Sequence, residues 1–270
     1  MGNKLTRAFV SRDQINEIAK NVLGDILPGG SEQSIYDAST VQNFALGARK
    51  VVDERVFRYA MAGAAIVNPP NLHRLLVCKV TYSSAQDRTP DLIHPIGSTV
   101  IKLPDTNATV DQYKGGWMEI WTVGGKFQFR RILSNTVSNG TYAYFTIDRG
   151  LNLAIAASGD QCSVHQNFYS SVGPAGTTVG RETPVGMCQV HAGVALNSYF
   201  WLQTWGPAWI AATGTQPGAV ANFRDVYMHS DGCINSANGE TVGTTSPPRV
   251  GFALETGTAG LNIIMLQITP

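Results

Sequence analysis

Trp117-Met118-Glu119-Ile120-Trp121-Thr122-Val123 runs into Gly124-Gly125, and Lys126-Phe127-Gln128-Phe129-Arg130-Arg131-Ile132-Leu133 runs out of it. Glycine tolerates positive φ at both turn positions, so this stretch predicts a β-hairpin closed by a two-residue type I′ turn. Asn139-Gly140 repeats the device, joining Ile132–Val137 to Tyr142–Ile147. The segment from Gly97 to Leu153 therefore reads as a compact run of hairpins.

Strand grammar continues on both sides of that run. Upstream, Val51-Val52 and Val56-Phe57-Arg58-Tyr59 are strands joined by the polar turn Asp53-Glu54-Arg55, and Leu75-Leu76-Val77-Cys78-Lys79-Val80 is another. Residues 158–185, rich in Gly, Ser, Pro and Thr, read as a connection. Downstream come short candidates bounded by Gly, Pro or Asn: Gly186–Gly193, Tyr199–Thr204, Ala208–Ala212, Asp225–His229, Val250–Leu254 and Leu261–Ile268. Many short strands without alternating helices predict a mainly β protein of barrel or sandwich type.

One helix is expected, near the N-terminus. Ser11 caps it, Gln14 completes a capping box, and Pro28-Gly29-Gly30 stops it. Ile15, Ile18, Ala19, Val22, Leu23 and Ile26 form a single apolar stripe opposite Arg12, Asp13, Glu17 and Lys20. A helix over 11–27 is marginal alone in water, so the stripe must be buried, in the chain's own core or on a neighbouring subunit. The polar segment Gly29 to Thr40 reads as a tether, which makes residues 1–45 an arm that reaches outward.

Composition narrows the partners. The charged fraction is 14%, against roughly 25% in ordinary soluble domains, and the formal net charge is +1. No basic cluster is present to displace counterions from phosphates, so nucleic acid is not an expected partner. The N-terminal residues lack a signal-peptide core, and no apolar run spans a bilayer. Gly2 and Thr6 match the loose myristoylation pattern, but one acyl chain anchors weakly, so no membrane partner is expected. Cys78, Cys162, Cys188 and Cys233 are widely spaced and predict free thiols.

The residues also argue against an enzyme. The nucleophile elbow G-x-S-x-G and both phosphate-cradling glycine motifs are missing. His73, His94, His165, His191 and His229 are never at metal-ligand spacing, so no metal or cofactor is expected. Asp87 and Asp91 are close in sequence without forming a recognisable acid pair. The most distinctive local feature is Tyr199-Phe200-Trp201-Leu202-Gln203-Thr204-Trp205-Gly206-Pro207-Ala208-Trp209. On a strand, Trp201, Gln203 and Trp205 share one face, with Phe200, Leu202 and Thr204 on the other. The expectation is that the Phe200/Leu202 face fills a barrel while the tryptophans meet another subunit. As stacking platforms, Trp201, Trp205 and Trp209 would instead suit a sugar.

Asn43-Phe44-Ala45-Leu46-Gly47-Ala48-Arg49 with Asp53 to Gly63, Tyr199 to Gly206, and Val250-Gly251-Phe252-Ala253-Leu254 with Ile263 to Ile268 resemble the head decoration proteins of tailed bacteriophages. The resemblance covers roughly residues 43–270. It implies a small barrel of the β-tulip type found in lambda-like decoration proteins, trimeric on the capsid and without enzymatic activity. This chain is longer than the smallest members, and the excess is expected as an inserted antiparallel β domain over 96–170. The barrel is then discontinuous, 46–95 and 171–270, behind the N-terminal arm of 1–45. The function so implied is that of a cement protein on the outer capsid surface of a virion. Its partners would be the major capsid protein and its own copies in a homotrimer. The contact residues expected for that role are Ile15, Ile18, Val22, Leu23, Ile26, Trp201, Trp205 and Trp209. The alternative is a glycan-binding module of a virion fibre or host-adhesion protein.

Overall fold

A computed structural model describes residues 31–67, 73–80, 87–157, 159–176, 183–213, 217, 224–236, 247–255 and 261–270. The expected helix over 11–27 lies outside them. Among the described residues the chain is mainly β, with sheets curled into half-barrels.

The described residues form sixteen strands in two sheets. In chain order the first four are β1 (Ala38–Ser39), β2 (Arg49–Val52), β3 (Arg55–Met61) and β4 (Leu75–Cys78). Next come β5 (Val100–Pro104), β6 (Trp117–Trp121), β7 (Phe127–Asn135), β8 (Tyr142–Ile147) and β9 (Gln161–His165). The last seven are β10 (Val172–Pro174), β11 (Pro184–Cys188), β12 (Tyr199–Ala211), β13 (Asp225–Met228), β14 (Ile234–Ser236), β15 (Arg249–Ala253) and β16 (Leu261–Gln267). β5 to β9 make a five-stranded sheet in the order β5-β8-β7-β6-β9, and the other eleven strands make the second sheet. Residues 158–185, read as a plain connection, thus contain β9 and β10. Each pairs with strands distant in sequence, β9 with β6 and β10 with β4, which no local pattern reveals.

β12 is the spine of the larger sheet. Its first half pairs with β3 and its second half with β16, so the two strands expected over 199–212 are one. The changeover needs Gly206, at φ 95°, because a Cβ there would lie 2.6 Å from the Glu54 carbonyl oxygen. Pro207 is tolerated on this central strand because β11 has already ended on the side where its missing amide would point. β4 is apolar at every position because it is buried on both faces: Leu75 and Val77 join one core cluster, Leu76 another.

A third cluster decides what covers Trp201. Ile35, Phe44, Phe57, Tyr59 and Trp201 are packed together, with Phe44 and Tyr59 ring centroids 4.8 and 4.9 Å from Trp201. Gln33 is the polar hub beside them. Its backbone carbonyl accepts from Trp201 Nε1 (3.2 Å) and Lys50 Nζ (3.0 Å), and its Oε1 accepts from Tyr59 OH (2.7 Å) and Asn43 Nδ2 (3.0 Å). Its Nε2 donates to the carbonyls of Asp37 and Tyr199. Residues 31–45 are therefore not a reaching tether. They fold back onto β3 and β12 because Ile35 and Phe44 supply the apolar surface that buries Trp201, while Gln33 satisfies the polar groups enclosed with it.

The five-stranded sheet has its own core. Ile101, Leu103, Met118, Ile120, Ile132, Phe145, Ile147 and Val164 line its inner face, and every member of that cluster falls between Ile101 and Val164. The connections 105–116 and 148–157 close this face, held by buried side chains that satisfy their backbones. Asn135 Oδ1 accepts from Tyr113 N (2.8 Å), and Gln128 Oε1 accepts from Asn152 N (2.7 Å). The hairpin turn differs from the expected type. Gly125 has φ 69° while Gly124 does not have positive φ, and Gly125 N donates to Thr122 O. The loop is thus three residues ending in a left-handed glycine, the other common solution for strands of this twist. At Asn139-Gly140 the turn likewise has one positive φ, at Gly140, and Asn139 Oδ1 caps the amides of Thr141 and Tyr142.

Candidate functional site

The outer face of the β6–β7 hairpin follows from strand alternation. Met118 and Ile120 point into the core, so Trp117, Glu119 and Trp121 point out. On β7, Gln128 is buried while Phe127, Phe129 and Arg131 point out. Antiparallel pairing sets Trp121 opposite Phe127 and Glu119 opposite Phe129. The rings meet across the strands: Trp117 and Phe129 stack with centroids 4.7 Å apart and planes 8° apart, and Trp121 and Phe127 stack at 5.8 Å and 24°. Trp121 remains 52% exposed, Phe127 74% and Phe129 54%. Cross-strand aromatic pairs stabilise the hairpin. Their exposure makes them an apolar surface on a rigid scaffold.

Polar groups border this surface. Glu119 lies 3.5 Å from His165 Nε2 on the neighbouring β9. Across the sheet, Lys102 Nζ sits 3.9 Å from the Tyr142 ring centroid and pairs with Asp91. The hydrogen bond that Lys102 Nζ donates to the Asp91 carboxylate raises the pKa of Lys102. Asp91 is thus committed to an exposed ion pair, and nothing joins it to Asp87 as an acid pair.

Beneath the sheet, Arg88 Nη1 contacts Asp105 Oδ2 at 2.6 Å, with both side chains under one-tenth exposed. Asp105 Oδ1 also accepts the amides of Asn107 (2.9 Å) and Ala108 (2.8 Å). Burial pushes the Asp105 carboxyl up, but those amides and the guanidinium outweigh it and hold the group below its ordinary value. The pair pins residue 88 and the 105–108 turn to the sheet that carries the aromatic face.

All four cysteines are free, as their spacing predicts. Burial pushes Cys162 and Cys188 up to about 12, and burial with the neighbouring Asp231 does the same to Cys233. A protonated thiol is a poor nucleophile. Asp231 accepts from the Cys233 amide (3.0 Å), contacts His229 Nδ1 at 2.8 Å and lies 3.5 Å from Arg74. Burial raises its carboxyl, yet these donors bring it below the usual range. His94 is buried, its Nε2 accepting from the Lys102 amide at 3.3 Å. Among the described residues no group of three or more His, Cys, Asp and Glu is placed to hold a metal ion.

Ile15, Ile18, Val22, Leu23 and Ile26 lie outside the described residues. Trp201 has no exposed surface and belongs to its own chain's core, so it cannot serve as a subunit contact. Trp205 is half-buried, and Trp209, 48% exposed, packs on His73. The exposed face instead uses Trp121, Phe127 and Phe129. Their signal was present in the hairpin sequence: both faces of β6 are apolar, with Trp117 and Trp121 on one and Met118 and Ile120 on the other. A two-sided apolar strand on an antiparallel sheet has a second face to cover. Compared with protein-family models, with curated proteins and with solved structures, the chain shows no significant match to any.

Proposed function

We propose that this chain is a non-enzymatic structural protein that coats the outer surface of a tailed-phage capsid as a decoration or cement protein. Its partners are the major capsid protein and further copies of itself in a homotrimer, and the outer face of the β6–β7 hairpin makes the contact. One observation carries the reading. Of the twenty large apolar side chains exposed among the described residues, twelve lie between Leu92 and Tyr144, the segment that builds the five-stranded sheet. Six of the twelve, Val100, Trp121, Phe127, Phe129, Leu133 and Tyr144, lie on its strands; scattered apolar exposure is ordinary, whereas such concentration marks a candidate interface.

Protein is favoured over glycan as the partner of this face. Each ring of the two stacked pairs already gives one side to its neighbour, which leaves an uneven apolar surface suited to packing against side chains. A standard protein contact buries roughly 1,600 Å² in total. Several such contacts on one oligomer add avidity without new chemistry. The low charge density agrees with a surface that joins neighbours by burial rather than by ion pairing.

Electron microscopy of expanded, undecorated capsids incubated with the purified protein tests the assignment. Ordered extra density at fixed lattice positions is expected; bare capsids at saturating protein would refute it. The helix of residues 11–27 is a second proposed contact, its apolar stripe lying in a groove of a neighbour. Removal of residues 1–30 should then leave a folded protein whose capsid density is lost or much reduced. Undiminished decoration by the truncated chain would remove that role from the helix.

A further inference from the structure

β11 and β12 separate beyond their last pairs, Met187 with Gln203 and Cys188 with Leu202. A cleft of about 290 Å³ opens where they part, bounded by Met187, Gln189, Pro207, Trp209 and Ile263, with His73 and Arg55 at its margin.

The cleft is built into the fold. Gln203, fully buried, donates from Nε2 to the carbonyls of Pro207 (2.8 Å) and Trp205 (3.3 Å). A side chain therefore takes the place that, among the described residues, no neighbouring strand fills. Further along, His73 O accepts from Ala211 N at 2.7 Å. Backbone alternation then sets the N–H and C=O of Trp209 on the same open side, between the two caps.

The side chains around this gap are arranged for contact. His73 is held in the left-handed region, at φ 62°, with its ring 4.7 Å from that of Trp209 and inclined at 55°. Histidine, with asparagine and aspartate, adopts this backbone more readily than other non-glycine residues, and here it turns the ring toward Trp209. Gln189 Nε2 donates to Gln203 Oε1 at 2.7 Å. Its carbonyl oxygen and second amide hydrogen remain for a ligand.

We propose that this cleft binds one pyranose ring at the end of an oligosaccharide. A sugar ring has a C–H face that stacks on an exposed indole such as Trp209 and hydroxyls that both donate and accept. Gln189, His73 and the Trp209 backbone are donors and acceptors in matching supply. A ring of about a dozen non-hydrogen atoms suits a site at the small end of ligand pockets. An extended peptide fits poorly, because the two caps leave one residue of β12 free to pair and strand addition needs several. The site is separate from the aromatic sheet face, so capsid attachment and sugar binding stand or fall independently.

The test is saturation-transfer NMR of the full chain with glucose, galactose, N-acetylglucosamine and glucuronate, run beside Trp209→Ala and His73→Asn. Asparagine tolerates the left-handed backbone, so the second variant removes the imidazole without reshaping the chain. At least one sugar should give saturable transfer, weakened tenfold or more in both variants while their melting curves stay unchanged. Preference for glucuronate, lost in Arg55→Gln, would identify the ligand as an acidic sugar. No saturable transfer from any of the four sugars, or transfer that survives in a folded Trp209→Ala protein, would overturn the proposal.

Discussion

Asp105→Ala is expected to lower stability by about 3–5 kcal/mol, because it removes the carboxylate paired with a buried guanidinium. Arg88 and Asp105 are both nearly inaccessible to water, and Asp105 also receives two backbone amides. Removing the carboxylate takes away the ion-pair partner of Arg88 and leaves the Asn107 and Ala108 amides without their acceptor. Replacing both partners together, Arg88→Met with Asp105→Leu, should be milder, since neither desolvated charge then remains and the two amides alone lack their acceptor. The pH dependence follows in sign from the depressed carboxyl. The stabilisation is complete above the unfolded-state value, about 3.9, and is lost as pH falls through the lower folded-state value. Urea midpoints at pH 7 and pH 3 should therefore show a large gap between wild type and Asp105→Ala at the higher pH and a smaller one at the lower.

Trp201→Ala is expected to be comparably damaging, at about 3–5 kcal/mol. The indole is fully buried between Phe44 and Tyr59, and its Nε1 donates to the Gln33 carbonyl. The variant leaves a cavity and loosens the hub that ties residues 31–45 to β3 and β12. Proteolysis of the native variant should then cut within 31–45, where wild type resists. By contrast, Trp209→Ala, on an exposed position of the same strand, should change the melting temperature little.

The contrast between Trp201 and Trp209 shows how far the sequence could be read. The alternation of β12 correctly separates Phe200 and Leu202 from Trp201, but alternation assigns faces and does not say what covers them. Trp201 is covered by Ile35 and Phe44, more than 150 residues earlier in the chain, and the polar segment carrying them resembles a tether until Gln33 is seen to satisfy Tyr59, Asn43 and Trp201 together. Strands flagged by β-branched and aromatic runs, such as β3, β4, β6 and β16, were legible because their local pattern is strong. β9 and β10 were not, since each is three to five residues long and fixed by distant partners, and β14, paired with the adjacent β13, is only three residues long. For the candidate site, the W-x-E-x-W and F-x-F-x-R patterns of the hairpin were visible. Only the register that stacks Trp117 on Phe129 reveals them as one surface.

Attachment through that surface is best measured by co-sedimentation with expanded capsids, comparing wild type with Trp121→Ser/Phe127→Ser/Phe129→Ser. All three side chains point away from the core, so the variant should keep the fold while losing the stability that the cross-strand stacks add. The expected result is saturable binding by wild type and at least about 100-fold weaker binding by the variant, the loss of roughly 3 kcal/mol that hot-spot aromatics carry. Equal binding by a folded variant would contradict the account.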